Sequence, residues 1–148
     1  MNIPVREAET RDLDALLTLY THLHDNPVPE KDNRINGIWL QIMTDPNHHI
    51  LLAEAEGRPV ASCVLLIVPN LTNGQRPYAL IENVVTHASF RRKGFGTACL
   101  EAAVQIAKAE CCYKIMLMTG AKDEGTLRFY EQAGFARNEK TAFIRRLR

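Results

Sequence analysis

The amino-acid sequence predicts an α/β protein of one domain, with helices packed on a central sheet of mixed direction. Short apolar segments typical of strands alternate with longer segments whose apolar residues recur at helical spacing. The chain opens with one strand and two helices before this alternation begins, which is unlike a purely parallel sheet. With 46% hydrophobic and 24% charged residues, the 148 residues can enclose one core, so we expect residues 1–148 to form one domain.

The first part of the chain predicts a strand and two helices. Residues 3–7 form a short strand, and Thr10 is a suitable N-cap for the helix that follows, in which leucines recur at helical spacing. A break is expected at residues 25–29, which include two prolines. A second helix is predicted over residues 30–43, because isoleucines and the single tryptophan form one apolar stripe there.

Three strands are predicted next. Residues 49–54 and 59–68 indicate a β-hairpin, since only a short turn containing Gly57 separates them. The second of these strands is apolar almost throughout, so we expect it to be buried on both faces of the sheet. A polar loop over residues 70–77 then leads to a fourth strand at residues 78–87.

Helices and strands alternate through the rest of the chain. A third helix runs to about Glu110, and residues 113–118 form an apolar fifth strand. A fourth helix covers residues 123–133 and ends before a glycine, which stops helices readily. The last strand segments are predicted at residues 135–136 and 141–146.

A basic segment with two glycines joins the fourth strand to the third helix. It consists of Arg91, Arg92, Lys93, Gly94, Phe95, Gly96 and Thr97. The first N–H groups of a helix have no intrahelical partner, and the helix dipole places partial positive charge beside them. Glycines let an anion approach the backbone closely, and the three cations add formal charge. The segment therefore predicts a phosphate or pyrophosphate site, although its spacing matches neither the P-loop nor the dinucleotide-binding motif.

Two motifs in this chain resemble the signatures of one enzyme family. Arg91, Gly94 and Gly96 are spaced as in Gln/Arg-x-x-Gly-x-Gly/Ala, which is typical of the GNAT N-acetyltransferases. Asp123 to Phe135 resembles that family's Asn-x-x-Ala-x-x-Phe-Tyr-x-x-x-Gly-Phe, with Asp123 in place of the usual Asn. The resemblance covers nearly the whole chain. It implies a sheet that splays open after its fourth strand and holds coenzyme A in the cleft.

The resemblance also implies which residues bind the co-substrate, acetyl-CoA. The backbone of residues 91–97 would hold the pyrophosphate. The backbone of Val84, Val85 and Thr86 would pair with the amides of the pantetheine arm, and an N–H at about Val85 would polarise the thioester carbonyl. In the family, the position of Asp123 contacts the coenzyme or its neighbourhood, but an ionised carboxylate cannot donate hydrogen bonds as an Asn can.

Tyr130 and Glu82 are the candidate catalytic residues. Tyr130 stands at the family's Tyr position beside the coenzyme, and a phenol with a pKa of ~10 suits a general acid for a departing thiolate. The alternative is a core aromatic residue paired with Phe129. Glu82 lies in the middle of the fourth strand and is a candidate base for the amine, directly or through a water. The alternative is a solvent-facing residue on a half-exposed strand.

The function that the resemblance implies is acetyl-CoA-dependent N-acetylation of a primary amine, by direct attack in a ternary complex. Cys99 and Cys112 leave a covalent acetyl-enzyme open. Residues 81–85 resemble the branch that acetylates aminosugar phosphates, so glucosamine 6-phosphate is one candidate acceptor and a peptide or protein amine is another. The first two helices, their connecting loop and residues 70–77 would form the acceptor side. A non-catalytic acyl-CoA sensor and an interaction module with an incidental glycine turn are the other hypotheses.

The composition limits which partners the protein is expected to bind and in which compartment it is expected. The balance of 18 Lys and Arg against 17 Asp and Glu argues against a general nucleic-acid binder. The four cysteines form no Cys-x-x-Cys pair, and the histidines lack ligand spacing, so no metal is expected. A loop or turn role is expected for the histidines instead, and His22 or His24 is a candidate wall of the acceptor pocket. No segment predicts a signal peptide or a membrane span, so we expect a cytoplasmic protein with reduced thiols. The family resemblance implies a homodimer.

Overall fold

The computed structural model describes residues 2–24 and 26–148. In chain order its elements are β1 Val5–Glu7, α1 Leu13–Leu19, α2 Asn33–Thr44, β2 His48–Ala55, β3 Arg58–Val68, β4 Tyr78–Thr86, α3 Phe95–Ala109, β5 Ile115–Leu117 and α4 Glu124–Gln132. Short 3-10 turns occur at Thr10–Asp12, Tyr20–His22, Asn73–Gln75 and Ala88–Phe90. The chain divides into two compact units, residues 1–117 with the whole sheet and α1 to α3, and residues 118–148 with α4.

The five strands form one sheet in the order β1-β2-β3-β4-β5. The first three neighbouring pairs are antiparallel, whereas β4 and β5 are parallel. The predicted α/β fold with a mixed sheet and four helices is therefore confirmed. The predicted hairpin turn also forms between β2 and β3, where Glu56 and Gly57 both have the positive φ that a two-residue turn requires (53° and 74°).

In the first unit, helices cover both faces of the sheet. On one face, Trp39 of α2 is buried together with Ile50 and Val64 of the sheet, and α1 completes this core. On the other face the Cys63 thiol donates to the carbonyl oxygen of Cys99 in α3, at 3.5 Å. Cys63 and Val64 are consecutive, so their side chains point to opposite faces. This two-sided packing explains why the sequence of β3 is apolar almost throughout.

The sheet opens partway along β4. In the residues that the structure describes, pairing between β4 and β5 ends at Ile81 and Leu117. Pairing between β4 and β3 continues to Thr86, opposite Ala61. The second half of β4 therefore has a strand on one side only, which is the splaying that the family resemblance implies.

Thr10 was predicted to cap the first helix, and this prediction is wrong. Thr10 begins a 3-10 turn instead, and α1 starts only at Leu13. The Glu9 N–H donates to the carboxylate of Asp12 at 2.6 Å, so an acidic residue closes this turn.

The predicted strand segments at residues 135–136 and 141–146 are also absent from the described chain. Phe143 is 89% exposed, and no neighbouring strand pairs with this stretch. A strand-like composition needs such a partner, because strand preference mostly reflects cross-strand packing.

The break predicted at residues 25–29 includes Asp25, which lies outside the described residues. In the described residues, no helix is both long enough and apolar enough to cross a membrane.

Candidate active site

The loop between β4 and α3 has the geometry of an anion site. The first hydrogen bond of α3 runs from the N–H of Ala98 to the carbonyl oxygen of Gly94, at 3.0 Å. The N–H groups of residues 95–97 therefore have no partner within the helix. Arg92 and Gly94 both have positive φ (62° and 90°), and such a backbone forms a concave nest of N–H groups. The loop thus has backbone donors without intrahelical partners where the sequence predicts a pyrophosphate, and the binding of that anion stays a prediction.

The three cations of this loop differ in their surroundings. Arg91 is tied to the protein, because its Nε donates to the carbonyl oxygen of Thr86 (3.2 Å) and its Nη2 to that of His22 (3.3 Å). Arg92 and Lys93 are exposed. Arg91 therefore fixes the loop to the end of β4, whereas Arg92 and Lys93 can place their charge on a bound anion.

A row of rings supports the loop from the preceding 3-10 turn. The rings of His22 and His87 lie 4.1 Å apart, and Phe90 meets His87 edge-on at 5.5 Å and Phe95 at 5.8 Å. The Lys93 ammonium lies 5.5 Å from the centroid of Phe90, a cation–π distance. His22 therefore packs against the residues that lead into the loop.

A β-bulge distorts β4 where the sheet opens. Residues 62–64 of β3 pair with residues 82–85 of β4, so two residues of β4 lie opposite one of β3. Asn83 lies in the bulge with φ of 50°, a left-handed conformation that Asn tolerates better than most residues. Backbone groups of Val84 and Val85 consequently lie beside the open edge. These are the positions that the resemblance assigns to the pantetheine arm.

Tyr20 and Asn83 belong to this site, and the sequence analysis missed both. Tyr20 directly follows α1, and the side chain of Asn83 lies close enough to its hydroxyl to influence its pKa. Burial raises the pKa of Tyr20 to about 12, so its hydroxyl stays protonated. One signal was available: Asn is depleted in strand interiors, and its presence in the middle of an apolar strand indicates a bulge.

A cavity of about 380 Å³ lies between this part of β4 and helices α1 and α2. Glu82 lines it with Asn83, and Glu82 lies directly opposite Val64 of the core on that face. Because the Glu82 side chain is also exposed, it stands at the boundary between the cavity and solvent. The two hypotheses for Glu82, a solvent-facing residue and a residue near the acceptor, are therefore compatible.

The loop at residues 70–77 does not line this cavity, and its predicted place on the acceptor side stays a prediction. The Arg76 guanidinium donates to the carbonyl oxygens of Cys111 (3.0 Å) and Cys112 (3.1 Å), just after α3. These contacts hold the loop at the start of β4, whereas the basic loop of residues 91–97 follows the end of β4. His22 and His24 do not line the cavity either.

Asp123 and Tyr130 lie in the second unit. The Oδ2 of Asp123 accepts hydrogen bonds from the N–H and the hydroxyl of Thr126, both at 2.9 Å, and so caps α4. The bond from the Thr126 N–H lowers the pKa of Asp123, which keeps it ionised. Asp and Asn are comparable N-caps, so capping accounts for the departure from the family's Asn. The ring of Tyr130 meets that of Phe129 at 5.0 Å. Their roles toward a coenzyme stay predictions.

The thiols are poorly suited to carry an acetyl group. Cys99 is fully buried, and burial raises its pKa to about 12. Burial also raises the pKa of Cys112. Since the thiolate is the nucleophilic form, neither residue is activated in this structure. In the described residues, no three His, Cys, Asp or Glu side chains come together as metal ligands would.

Comparison with known proteins identifies relatives over almost the whole chain. Residues 13–135 match the model of the Acetyltransferase (GNAT) family. The chain is 30% identical over 146 residues to the glucosamine 6-phosphate N-acetyltransferase of Trypanosoma brucei brucei, covering 95% of this chain and 93% of that protein.

Solved structures share this fold. A protein of Agrobacterium tumefaciens str. C58, designated an acetyltransferase, superposes with a TM-score of 0.89 at 39% identity and covers 97% of this chain and 100% of its own. The glucosamine-6-phosphate N-acetyltransferase of Arabidopsis thaliana superposes with a TM-score of 0.84 over 99% of both chains. At 22% identity, this second likeness concerns the fold alone.

Proposed function

Because the chain belongs to the acetyltransferase (GNAT) family and is thus an N-acetyltransferase, we propose that it transfers the acetyl group of acetyl-CoA to a primary amine by direct attack in a ternary complex. One observation carries the proposal. Among the described residues, no strand pairs with one side of the bulged half of β4, residues 82–86, which runs from the cavity toward the loop of residues 91–97. At about 3.3 Å per residue, residues 82–86 are roughly 13 Å long, and this is the stretch of β4 along which the pantetheine arm would lie.

The coenzyme is bound mainly by backbone groups. The N–H groups of residues 95–97 and the nest around Gly94 bind the pyrophosphate, with Arg92 and Lys93 adding charge. Amides of the pantetheine arm pair with Val84 and Val85 at the open edge, as an added strand would. The carbonyl of Thr86 already accepts from Arg91, so this residue anchors the loop.

The chemistry uses one base and one acid. The ammonium form of the acceptor gives a proton to Glu82, directly or through a water, and the neutral nitrogen attacks the thioester carbonyl carbon. The C–N bond forms, the C–S bond breaks, and Tyr130 gives a proton to the departing thiolate. The proton that the new amide nitrogen sheds restores the phenol. The net products are an amide, a free thiol and one proton.

Direct attack is favoured over a covalent acetyl-enzyme by the state of the cysteines. A covalent route requires an accessible thiolate, and the Cys99 thiol is buried with a raised pKa.

A second candidate acceptor, an aminosugar phosphate, is favoured by the 30% identity to a glucosamine 6-phosphate N-acetyltransferase.

Thiol release from acetyl-CoA in the presence of primary amines tests the proposal, with Glu82→Gln as the decisive variant. We expect its kcat/KM to fall about 10²–10⁴-fold, because a general base contributes about that much. Coenzyme affinity, measured by calorimetry, should not change. Glu101→Gln is the matched control, since Glu101 is an exposed glutamate on α3 outside the cavity. Full activity of Glu82→Gln, or coenzyme binding without thiol release from any amine, would contradict the proposal.

A further inference from the structure

The cavity beside Glu82 has an apolar lining, which bears on the acceptor. Ten of its fourteen lining residues are leucine, isoleucine, valine or tryptophan, contributed by α1, α2, β2 and β3. The other four are Tyr20, His48, Glu82 and Asn83. A volume of about 380 Å³ lies within the usual range of about 300–1,000 Å³ for small-molecule sites. The space therefore suits the body of a small apolar molecule.

The charges around the cavity oppose an anionic acceptor. None of the described lining residues is Lys or Arg, which are the usual partners of a phosphate group. Burial holds the pKa of His48 below its ordinary value, so this imidazole is neutral near pH 7. Glu82 is the one carboxylate among the described lining residues, and its charge repels a phosphate and attracts an ammonium.

The cavity also offers few partners to sugar hydroxyls. Only four of the described lining residues carry polar side chains, and two of these, Glu82 and Asn83, are exposed at the boundary with solvent. Hydroxyl groups enclosed by leucine and isoleucine would lose their water without replacement, and this is unfavourable for each unpaired group. An alkyl or aryl group meets no such penalty.

We propose that the preferred acceptor is a primary amine with an apolar body, an alkylamine or arylalkylamine, whose ammonium lies at Glu82 and whose hydrocarbon part occupies the cavity between α1 and α2. This inference rests on the proposed function and names the substrate class of the same site. The acetyl transfer itself is unchanged.

A homologous series tests the inference. Propylamine, butylamine, pentylamine and hexylamine carry the same ammonium and differ only in the number of methylenes, and glucosamine 6-phosphate is the competing arm. We expect kcat/KM with acetyl-CoA to rise about threefold to fourfold for each methylene that enters the cavity. Hexylamine should also be acetylated with a higher kcat/KM than glucosamine 6-phosphate.

Two variants of α2 test whether the hydrocarbon part of the amine occupies the cavity. Ile38 lines the cavity and is partly exposed, so Ile38→Gln should leave the fold intact while making one wall polar. We expect it to lower kcat/KM for hexylamine by roughly threefold or more and to change propylamine less. Leu40→Gln is the matched control, because Leu40 is an exposed residue of the same helix outside the cavity.

The outcomes separate this inference from the proposed function. A rising series that Ile38→Gln flattens and Leu40→Gln preserves would support the inference. Efficient acetylation of glucosamine 6-phosphate with a flat alkylamine series would overturn it and leave the acetyltransferase proposal standing. A series that rises equally in both variants would place the hydrocarbon elsewhere and also overturn it. No acetylation of any amine by a protein that binds acetyl-CoA would overturn both.

Discussion

The ion pair of Arg6 with Asp12 ties β1 to the turn before α1. Two guanidinium nitrogens donate to the two Asp12 oxygens, at 2.8 and 2.9 Å, and Asp12 is only 5% exposed. We predict that Asp12→Asn lowers the free energy of unfolding by about 2–3 kcal/mol, because it breaks charge-assisted hydrogen bonds in a buried site. Urea denaturation at pH 7 measures this. Asp14→Asn, which breaks only the exposed pair with Lys31, should cost less than about 1 kcal/mol.

The same ion pair gives a pH dependence with a definite sign. The hydrogen bond from Arg6 holds the pKa of Asp12 below its ordinary value of 3.8. The stabilisation is therefore complete above that value and is lost as the pH falls through the lowered pKa of the folded state. The difference between the wild type and Asp12→Asn should shrink over that range, and a constant difference down to pH 2 would contradict the assignment.

The ionisation of His87 gives a pH dependence of stability with the same sign, at a higher pH. Burial, followed by the positive neighbours His22, Arg58 and Arg91, lowers its pKa from the ordinary 6.5, and its Nδ1 accepts from the N–H of Ser89. The unfolded chain takes up a proton at His87 before the folded chain does, so stability falls as the pH drops below 6.5. We predict that His87→Asn, which keeps a capping acceptor, removes part of this fall. Melting temperatures at pH 7.5 and 5.5 test it, and identical shifts in both proteins would count against it.

At the scale of elements, the start of α3 is the proposed binding site for the pyrophosphate of coenzyme A. Gly96 is buried on this helix, so a substitution there would disturb packing as well as binding. Thr97 is exposed in the first turn, where a glutamate stabilises a helix. We predict that Thr97→Glu keeps the fold and weakens coenzyme A binding about tenfold or more, because a carboxylate competes with the pyrophosphate. Calorimetric titration measures the affinity.

The control for this change carries the same charge on the same helix. Gln105 is exposed near the end of α3, so Gln105→Glu adds an equal charge far from the loop. Coenzyme affinity should not change in this variant. Equal weakening by Thr97→Glu and Gln105→Glu would indicate a general charge effect, and unchanged affinity in both would remove the pyrophosphate from the start of α3.

How much of this molecule could be predicted depends on whether a signal is local. β3 and α3 carry continuous apolar patterns, and their observed bounds lie close to the predicted ones. The loop proposed to bind the pyrophosphate was predictable as well, since a strand end, glycines, cations and a helix start are adjacent in the sequence. The bulge at Asn83 was not, because it depends on which residues of β3 lie opposite. The cavity, whose walls come from five elements, was missed for the same reason.

At the scale of the whole molecule, the strand predicted at residues 141–146 has no partner in the described chain. Apolar side chains of this segment and of the adjacent Leu147 nonetheless lie in solvent, with Phe143 89% and Leu147 88% exposed. Exposed apolar residues that are close in sequence often mark an interaction surface. The unpaired segment and the expected homodimer are therefore consistent with each other. A second copy of the chain can supply the pairing partner that this segment does not have within one copy.

We predict that the wild type sediments at twice its 16.7 kDa chain mass, and that Phe143→Ser combined with Leu147→Ser shifts it to the monomer. The physical reason is that burial of apolar surface drives association, at about 25 cal/mol per Å². Leu71→Ser is the control, because Leu71 is equally exposed (86%) but lies in the loop before β4. Sedimentation velocity over a range of concentrations decides it. A wild type that stays monomeric at every concentration would remove both the dimer and the role given to residues 141–147.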